Sequence, residues 1–147
     1  MEADSVELFT RLLEIYSADG EWGKVKSTAQ KMLALNPLLP SPYRFLAVAA
    51  EQTHDDKATV ESLTALARMD PLDAADVHYR LASALFRQQR LAEAKDEIVR
   101  SLERAPRYRA AYDLLLKIVD AQGKDSPPVD LVPETIEADS AEPVKES

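Results

Sequence analysis

The sequence predicts an all-α solenoid built from antiparallel helix pairs, with seven helices. Two observations carry this prediction. Apolar residues recur at helical spacing through most of the chain. Three prolines that each close an apolar helical segment, Pro37, Pro71 and Pro106, are separated by 34 and then 35 residues. Because a period of this length is typical of stacked units that cannot bury their apolar stripes alone, we expect each helix pair to pack on its neighbours.

The unit from residue 75 to 106 shows the pattern most clearly. Its first helix should bury one stripe, made of His78, Leu81, Ala82 and Leu85. Its second helix should bury another, made of Leu91, Ala94, Ile98 and Leu102. The first-helix slots of the other units hold Phe9, Leu12, Leu13 and Tyr16, then Tyr43, Leu46, Ala47 and Ala50, and finally Tyr112, Leu115, Leu116 and Val119.

This pattern resembles the tetratricopeptide repeat (TPR), with its W-x2-L-G-x2-Y…A-x3-F…P signature at a period of 34 residues. The likeness covers roughly residues 5 to 123, and it implies a right-handed solenoid of three repeats plus a C-terminal capping helix. The small-residue slot departs from the pattern in the outer units, where Leu13 and Leu116 replace Ala47 and Ala82. We therefore expect looser packing or modified caps there. An accidental helical bundle is the alternative.

Local signals set the helix boundaries at about residues 5–18, 21–35, 41–52, 56–69, 74–88, 91–104 and 107–121. Asp4 with Glu7 suggests a capping box at the first helix, and Gly20 a left-handed stop. Ser41, Asp55 or Asp56, and Asp73 are the expected caps of the third, fourth and fifth helices. Gly123 should end the seventh.

Composition divides the chain into a helical domain, residues 1–123, and an acidic tail, residues 124–147. The net charge is -8, and the tail's seven acids and two lysines contribute -5 of it. An acidic chain would be repelled by a phosphate backbone, so we expect no nucleic-acid partner. No membrane-spanning segment or signal peptide is visible, which favours the cytoplasm. Prolines prevent a long helix in the tail, whose apolar string is Val129, Leu131, Val132 and Ile136.

The sequence offers little catalytic chemistry, and we expect neither an enzyme nor a cofactor. His54 and His78 are its only histidines, and there is no cysteine, so a metal site lacks ligands. His78 fills a large-residue slot and should pack, while His54 should be an exposed turn residue. The lone Trp22 should act as a wedge between helices. A Gly-rich phosphate loop is absent.

The resemblance implies that the first helices of the units line a concave groove that binds a peptide or protein segment. The slots facing it hold Arg44, Phe45, Val48, Tyr79, Arg80, Ser83, Phe86, Arg87 and Lys117. One interpretation makes the aromatic residues an apolar floor ringed by basic residues, suited to a partner with acidic and apolar residues. The other has them packing on neighbouring units. Clamping of a terminal carboxylate is not supported, since Glu14, Val48 and Phe45 occupy the asparagine slots.

Three further hypotheses remain open at this point. The chain could be a C-terminal regulatory or structural appendage of a larger enzyme, such as a bacterial metallopeptidase. It could self-associate through the seventh helix, using Leu114, Leu115 and Ile118. The acidic tail could also dock in the groove, because its charge and apolar string complement the basic residues there.

Overall fold

The structure, a computed structural model, describes residues 2–125. Within that range the chain forms seven α-helices and no strand, which confirms the all-α class. The helices are α1 (Glu2–Ala18), α2 (Trp22–Leu35), α3 (Pro40–Gln52), α4 (Asp56–Ala67), α5 (Ala74–Arg87), α6 (Leu91–Arg104) and α7 (Arg109–Asp125). No helix among these residues is both long and apolar enough to cross a membrane.

Each helix packs against the next, and short connections make successive helices antiparallel. In addition, α1 contacts α3 and α5 contacts α7, while α3 and the α5 region are joined by side-chain ion pairs. This arrangement stacks the pairs α1–α2, α3–α4 and α5–α6 into a solenoid that α7 closes. The predicted helix pairs and their order are confirmed.

The buried side chains form two clusters, one around α1 to α3 and a larger one from α3 to α7. The centre of the first cluster consists of Leu13, Val25, Ala29 and Met32. In the second, Leu81 is 3% exposed and Ala82 fully buried, as the repeat pattern predicts. Among the described residues, α5 and α6 make the most extensive contact between two helices.

Backbone geometry explains two of the predicted boundaries. Gly20 has a φ of +72°, and this left-handed conformation ends α1 without steric cost because glycine lacks a Cβ. The carboxylate of Asp55 accepts a hydrogen bond from the amide of Ala58 at 3.1 Å and so caps α4. His54, just before this cap, is exposed in the turn as predicted.

Three predicted boundary signals are wrong, and a fourth, Asp73, is correct in position only. Asp4 and Ser41 lie inside the first turns of α1 and α3, because each helix starts earlier than its cap signal suggested. Asp73 precedes α5, but its side chain makes no capping hydrogen bond. Gly123 does not end α7, which continues to Asp125. The predictions for the tail from residue 126 onward lie outside the described residues.

The prediction that α7 buries the stripe of Tyr112, Leu115, Leu116 and Val119 is wrong. Tyr112, Leu116 and Val119 are 46%, 69% and 45% exposed, and Leu115 is half-buried. The physical reason is that these slots face the second helix of their own unit, and none follows α7 within the described residues. The face that α7 turns to the core instead carries Ala111, Leu114 and Ile118. Self-association through an exposed Leu114 and Ile118 is therefore also ruled out, since both are buried.

Candidate binding groove

The free faces of α3, α5 and α7 form the surface on which the candidate groove residues lie. On α5, Tyr79, Arg80, Ser83, Phe86 and Arg87 occupy the face turned away from the buried stripe. Side chains from this face reach back to α3 and forward to the start of α7, as the contacts below show. We use "groove" for this surface and its nine predicted residues.

Arg44 of α3 is bonded to Asp73, the residue before α5. Its two terminal nitrogens, Nη1 and Nη2, donate to the two carboxylate oxygens at 2.8 and 2.7 Å. The hydrogen bonds from Arg44 hold the pKa of the Asp73 carboxyl below its usual value and raise the pKa of the guanidinium. Arg44 therefore fastens the second unit to the third rather than standing as an unpaired cation.

Arg80 of α5 makes the reciprocal connection back to α3. Its Nε donates to Glu51 at 3.1 Å, and its Nη2 is bonded to the other oxygen of the same carboxylate. Its Nη1 also lies 3.6 Å from Asp76, one turn earlier on α5. The Glu51 hydrogen bond raises the pKa of Arg80, so the guanidinium stays charged at any physiological pH. The groove here is neutralised by its own carboxylates.

Tyr79 connects α5 to the start of the fourth unit. Its ring lies 5.1 Å from that of Tyr108, with the planes tilted by 41°. The Tyr108 hydroxyl donates to Asp76 at 3.4 Å. Burial, followed by the neighbouring Asp76 carboxylate, raises the pKa of Tyr108, so this hydroxyl remains a donor. An ionic and aromatic chain thus runs from α3 across α5 to Tyr108.

The basic residues at the edges of the groove are placed differently. Arg87 at the end of α5 donates from Nε to Asp56 at 2.8 Å, which directs it toward the start of α4. Lys117 is exposed on α7. The structure therefore pairs Arg44 and Arg80 each with its own acids between α3 and α5, but it does not gather all four basic residues into one ring.

The remaining candidates are half-buried. Phe45 packs against the first core cluster, and Phe86 against the larger one. Ser83 donates its hydroxyl to the carbonyl of Tyr79 at 3.0 Å, one turn earlier on the same helix. Val48 is half-buried on α3. The packing interpretation of the aromatic residues is supported, because each ring packs on a core cluster. The rings are only partly buried, and their role as a floor for a partner stays a prediction.

Sequence reasoning missed the acids that neutralise the groove. Glu51 was not considered, and Asp73 was expected only as a helix cap. A signal existed, because Arg44 to Asp73 and Glu51 to Arg80 are both 29 residues apart in sequence. Opposite charges at one fixed separation in successive repeats indicate an ion pair between units.

The histidines take structural positions. His78 Nδ1 lies 2.7 Å from a Glu97 carboxylate oxygen on α6, so His78 packs in its slot and also joins the two helices through a hydrogen bond. Among the described residues, no group of three or more histidine, cysteine or acidic residues could hold a metal ion. Trp22 is half-buried against the first core cluster and lines a cavity of about 260 Å³ between α2, α3 and α4.

Comparison with solved structures finds this architecture in several proteins. The first TPR of Spaghetti (RPAP3), bound to the HSP90 peptide SRMEEVD, has a TM-score of 0.70 over 82% of this chain and 94% of that chain, at 20% identity. A second similar structure is the Yersinia enterocolitica type III secretion chaperone SycD in complex with a peptide of the translocator YopD. Its TM-score is 0.70 over 81% of this chain and 95% of that chain, at 16% identity. MamA has a TM-score of 0.72 over 80% of this chain and 68% of that chain, at 18% identity.

Neither protein-family models nor curated proteins give a match to the sequence. The structural similarity covers 80–82% of the chain in these three proteins, and the helix order, the proline period and the buried Ala82 slot agree with it. Three helix pairs and a closing helix account for residues 2–125. The chain has the tetratricopeptide-repeat fold.

Proposed function

We propose that the protein is a non-catalytic interaction module that binds a peptide or protein segment in the groove. The observation that carries this proposal is the chain of side-chain contacts from Glu51 of α3 through Arg80 and Asp76 to the Tyr108 and Tyr79 rings, with the Arg44–Asp73 pair beside it. Ion pairs fix these side chains before any partner arrives, so binding costs little side-chain ordering. Two structures with the same fold, the RPAP3 domain and SycD, hold peptides, which supports a peptide as the partner.

The partner segment we propose combines apolar and acidic residues. The exposed fractions of the Arg44 and Arg87 side chains are 40% and 50%, which leaves donor groups accessible. An incoming carboxylate must however share each arginine with Asp73 or Asp56, so each charged contact contributes only about 0–1 kcal/mol. Apolar contacts with the accessible parts of the aromatic rings must therefore supply most of the affinity.

Mapping a bound peptide by NMR tests this proposal. A displayed library of short peptides is selected on the full chain, and the best binder is titrated against labelled protein. We expect shifts of the amides of Arg44, Tyr79, Ser83 and Phe86, and weaker but measurable binding at high salt, since only the charged part is screened.

A blocking variant and its control sharpen the test. Ser83→Trp places a large ring on the free face of α5 and should abolish binding. Ser27→Trp adds the same ring to an exposed position on α2, outside the groove, and should leave binding unchanged. Circular dichroism establishes that both variants are folded. Shifts confined to α2, α4 and α6, or equal binding by the two variants, would overturn the proposal.

A further inference from the structure

An apolar stripe on α7 is open to solvent. It consists of Tyr112, Leu115, Leu116 and Val119, of which only Leu115 is half-buried. The adjoining face of α7 is buried in the core through Leu114 and Ile118. Helix α7 is thus apolar on two neighbouring faces, whereas a repeat array presents a polar outer face where it ends in water. We call these four residues the α7 stripe.

The repeat period identifies the α7 stripe as a surface for a helix. Moved back by one period of 34 residues, its members coincide with His78, Leu81, Ala82 and Leu85. On α5, Leu81, Ala82 and Leu85 belong to the core cluster that also contains Ala94 and Ile98 of α6, and His78 is hydrogen-bonded to Glu97 of α6. The α7 stripe therefore has the spacing that accepts an antiparallel helix in the preceding unit.

The sequence after α7 is poorly suited to supply that helix. Pro127, Pro128, Pro133 and Pro143 interrupt residues 126–147. Proline inside a helix removes a backbone hydrogen bond and clashes with the preceding turn. A helix as long as α6, with 14 residues, does not fit between these prolines. A helix of a second molecule can occupy the α7 stripe instead.

Charges beside the α7 stripe indicate which molecule. Exposed residues of alternating sign flank it along one side: Arg109, Asp113, Lys117, Asp120 and Lys124. When two α7 helices lie antiparallel about a two-fold axis near Leu115, Asp113 of each copy faces Lys117 of the other. Arg109 then faces Asp120 to within one residue. In a parallel two-fold pair the charged residues of the two copies would lie on opposite edges of the interface and would not face one another.

We propose that the α7 stripe is a homodimer interface in which the α7 helices of two copies pack antiparallel. The two-fold axis that pairs the opposite charges also places stripe on stripe, with Tyr112 near Val119 of the second copy and the two Leu116 side chains near the axis. A two-fold interface of this kind closes on itself and stops at two copies. Of the groove residues only Lys117 takes part in this interface, and those of α3 and α5 lie outside it.

Molar mass measured by sedimentation over a wide concentration range tests the dimer. For the full chain we expect a reversible transition from 16.3 kDa to twice that mass. Leu116→Glu places a charge at the centre of the interface and should keep the protein monomeric. Leu72→Glu is the matched control, because Leu72 is a fully exposed leucine in the connection between α4 and α5. This control should dimerise like the unmodified chain.

Charge exchange tests the two-fold relationship itself. Asp113→Lys and Lys117→Asp each place like charges opposite each other twice, which should raise the dimer Kd about tenfold. The double variant restores opposite charges and should return the Kd to its original value.

Four outcomes would overturn the proposal. The first is a full chain that stays monomeric at every concentration, whether or not dimers form after residues 126–147 are removed. The second is a mass that grows beyond two copies and is reduced by Leu8→Glu, which would indicate stacking of α7 on the exposed Leu8 and Ile15 of α1. The third is equal weakening by Leu72→Glu and Leu116→Glu. The fourth is a double variant weaker than either single one.

Discussion

Arg44 and Asp73, 29 residues apart in sequence, form a two-bonded ion pair that joins α3 to the start of α5. The carboxylate is therefore not used as a helix cap, although it occupies the cap position. Arg80 and Glu51 repeat the connection in the opposite sense. Polar side chains thus hold α3 and α5 in register on the groove side, where the core does not.

We expect the Arg44–Asp73 pair to contribute modestly to stability. Both side chains are about two-fifths exposed, so solvent screens the attraction and Arg44→Met or Asp73→Asn should each cost about 0–1 kcal/mol. Chemical denaturation of the two single variants and the double variant gives the coupling energy. Arg107→Met, at an exposed arginine in the connection before α7, is the control. A coupling energy of zero would show that the pair only positions the side chains.

The stability supplied by this pair should depend on pH in one direction. The hydrogen bonds from Arg44 lower the folded pKa of Asp73 below the ordinary value of 3.8. A lowered carboxyl pKa stabilises the fold above 3.8, and the contribution is lost as the pH falls through the folded value. The difference in unfolding free energy between the unmodified chain and Asp73→Asn should therefore be present at about pH 7 and shrink below about pH 3.8. A constant difference would contradict the assignment.

Much of the fold was accessible from sequence because burial follows the repeat. Leu81 and Ala82 are buried where the 34-residue period places them, and α6 begins and ends at the expected residues. The period did not reveal that a slot stays open when its partner helix is missing, as at Leu116. Burial of such a slot depends on a neighbour outside the unit, which local pattern does not encode.

The candidate groove was only partly accessible for a different reason. The sequence placed Arg80 on the correct face, but a guanidinium that spans two helices chooses its partner by three-dimensional distance. Glu51 sits near the end of α3 and reaches Arg80 only because the two helices are antiparallel to α4 and lie side by side. Pairing of this kind requires the geometry between units, which the composition of a single helix does not determine.

Truncation and enlargement at the centre of the array should both destabilise the protein. Leu81→Ala removes buried methyl groups and leaves a cavity, at a cost of about 2–5 kcal/mol. Ala82→Leu forces α5 away from its neighbours and should cost about 1–3 kcal/mol. Leu38→Ala, at an exposed leucine, is the control. An unchanged melting temperature for Ala82→Leu would mean that this slot is not tightly packed.

A buried hydroxyl should matter for the contact between α5 and α6. Ser101 is fully buried on α6, and its Oγ donates to the carbonyl of Ala75 at 2.7 Å. Ser101→Ala leaves that carbonyl without this donor, so we expect a loss of about 1–3 kcal/mol in the free energy of unfolding. Ser27→Ala on the exposed side of α2 should change it by no more than about 0.5 kcal/mol. Equal effects of the two variants would exclude a role for the hydrogen bond.

The two glycines around the α1–α2 connection should respond to alanine with opposite signs. A Cβ at either position meets no heavy atom within 4 Å, so steric contact with other residues does not distinguish Gly20 from Gly23. The backbone does. At Gly20 the φ of +72° is left-handed, and an L side chain there should destabilise the fold by about 1–2 kcal/mol. Gly23 lies in the first turn of α2. There alanine reduces the entropy of the unfolded chain and should stabilise by about 0.4–1 kcal/mol. Thermal denaturation of Gly20→Ala and Gly23→Ala should therefore shift the melting temperature down and up respectively, and a shift of the same sign in both would show that the left-handed stop does not define the end of α1.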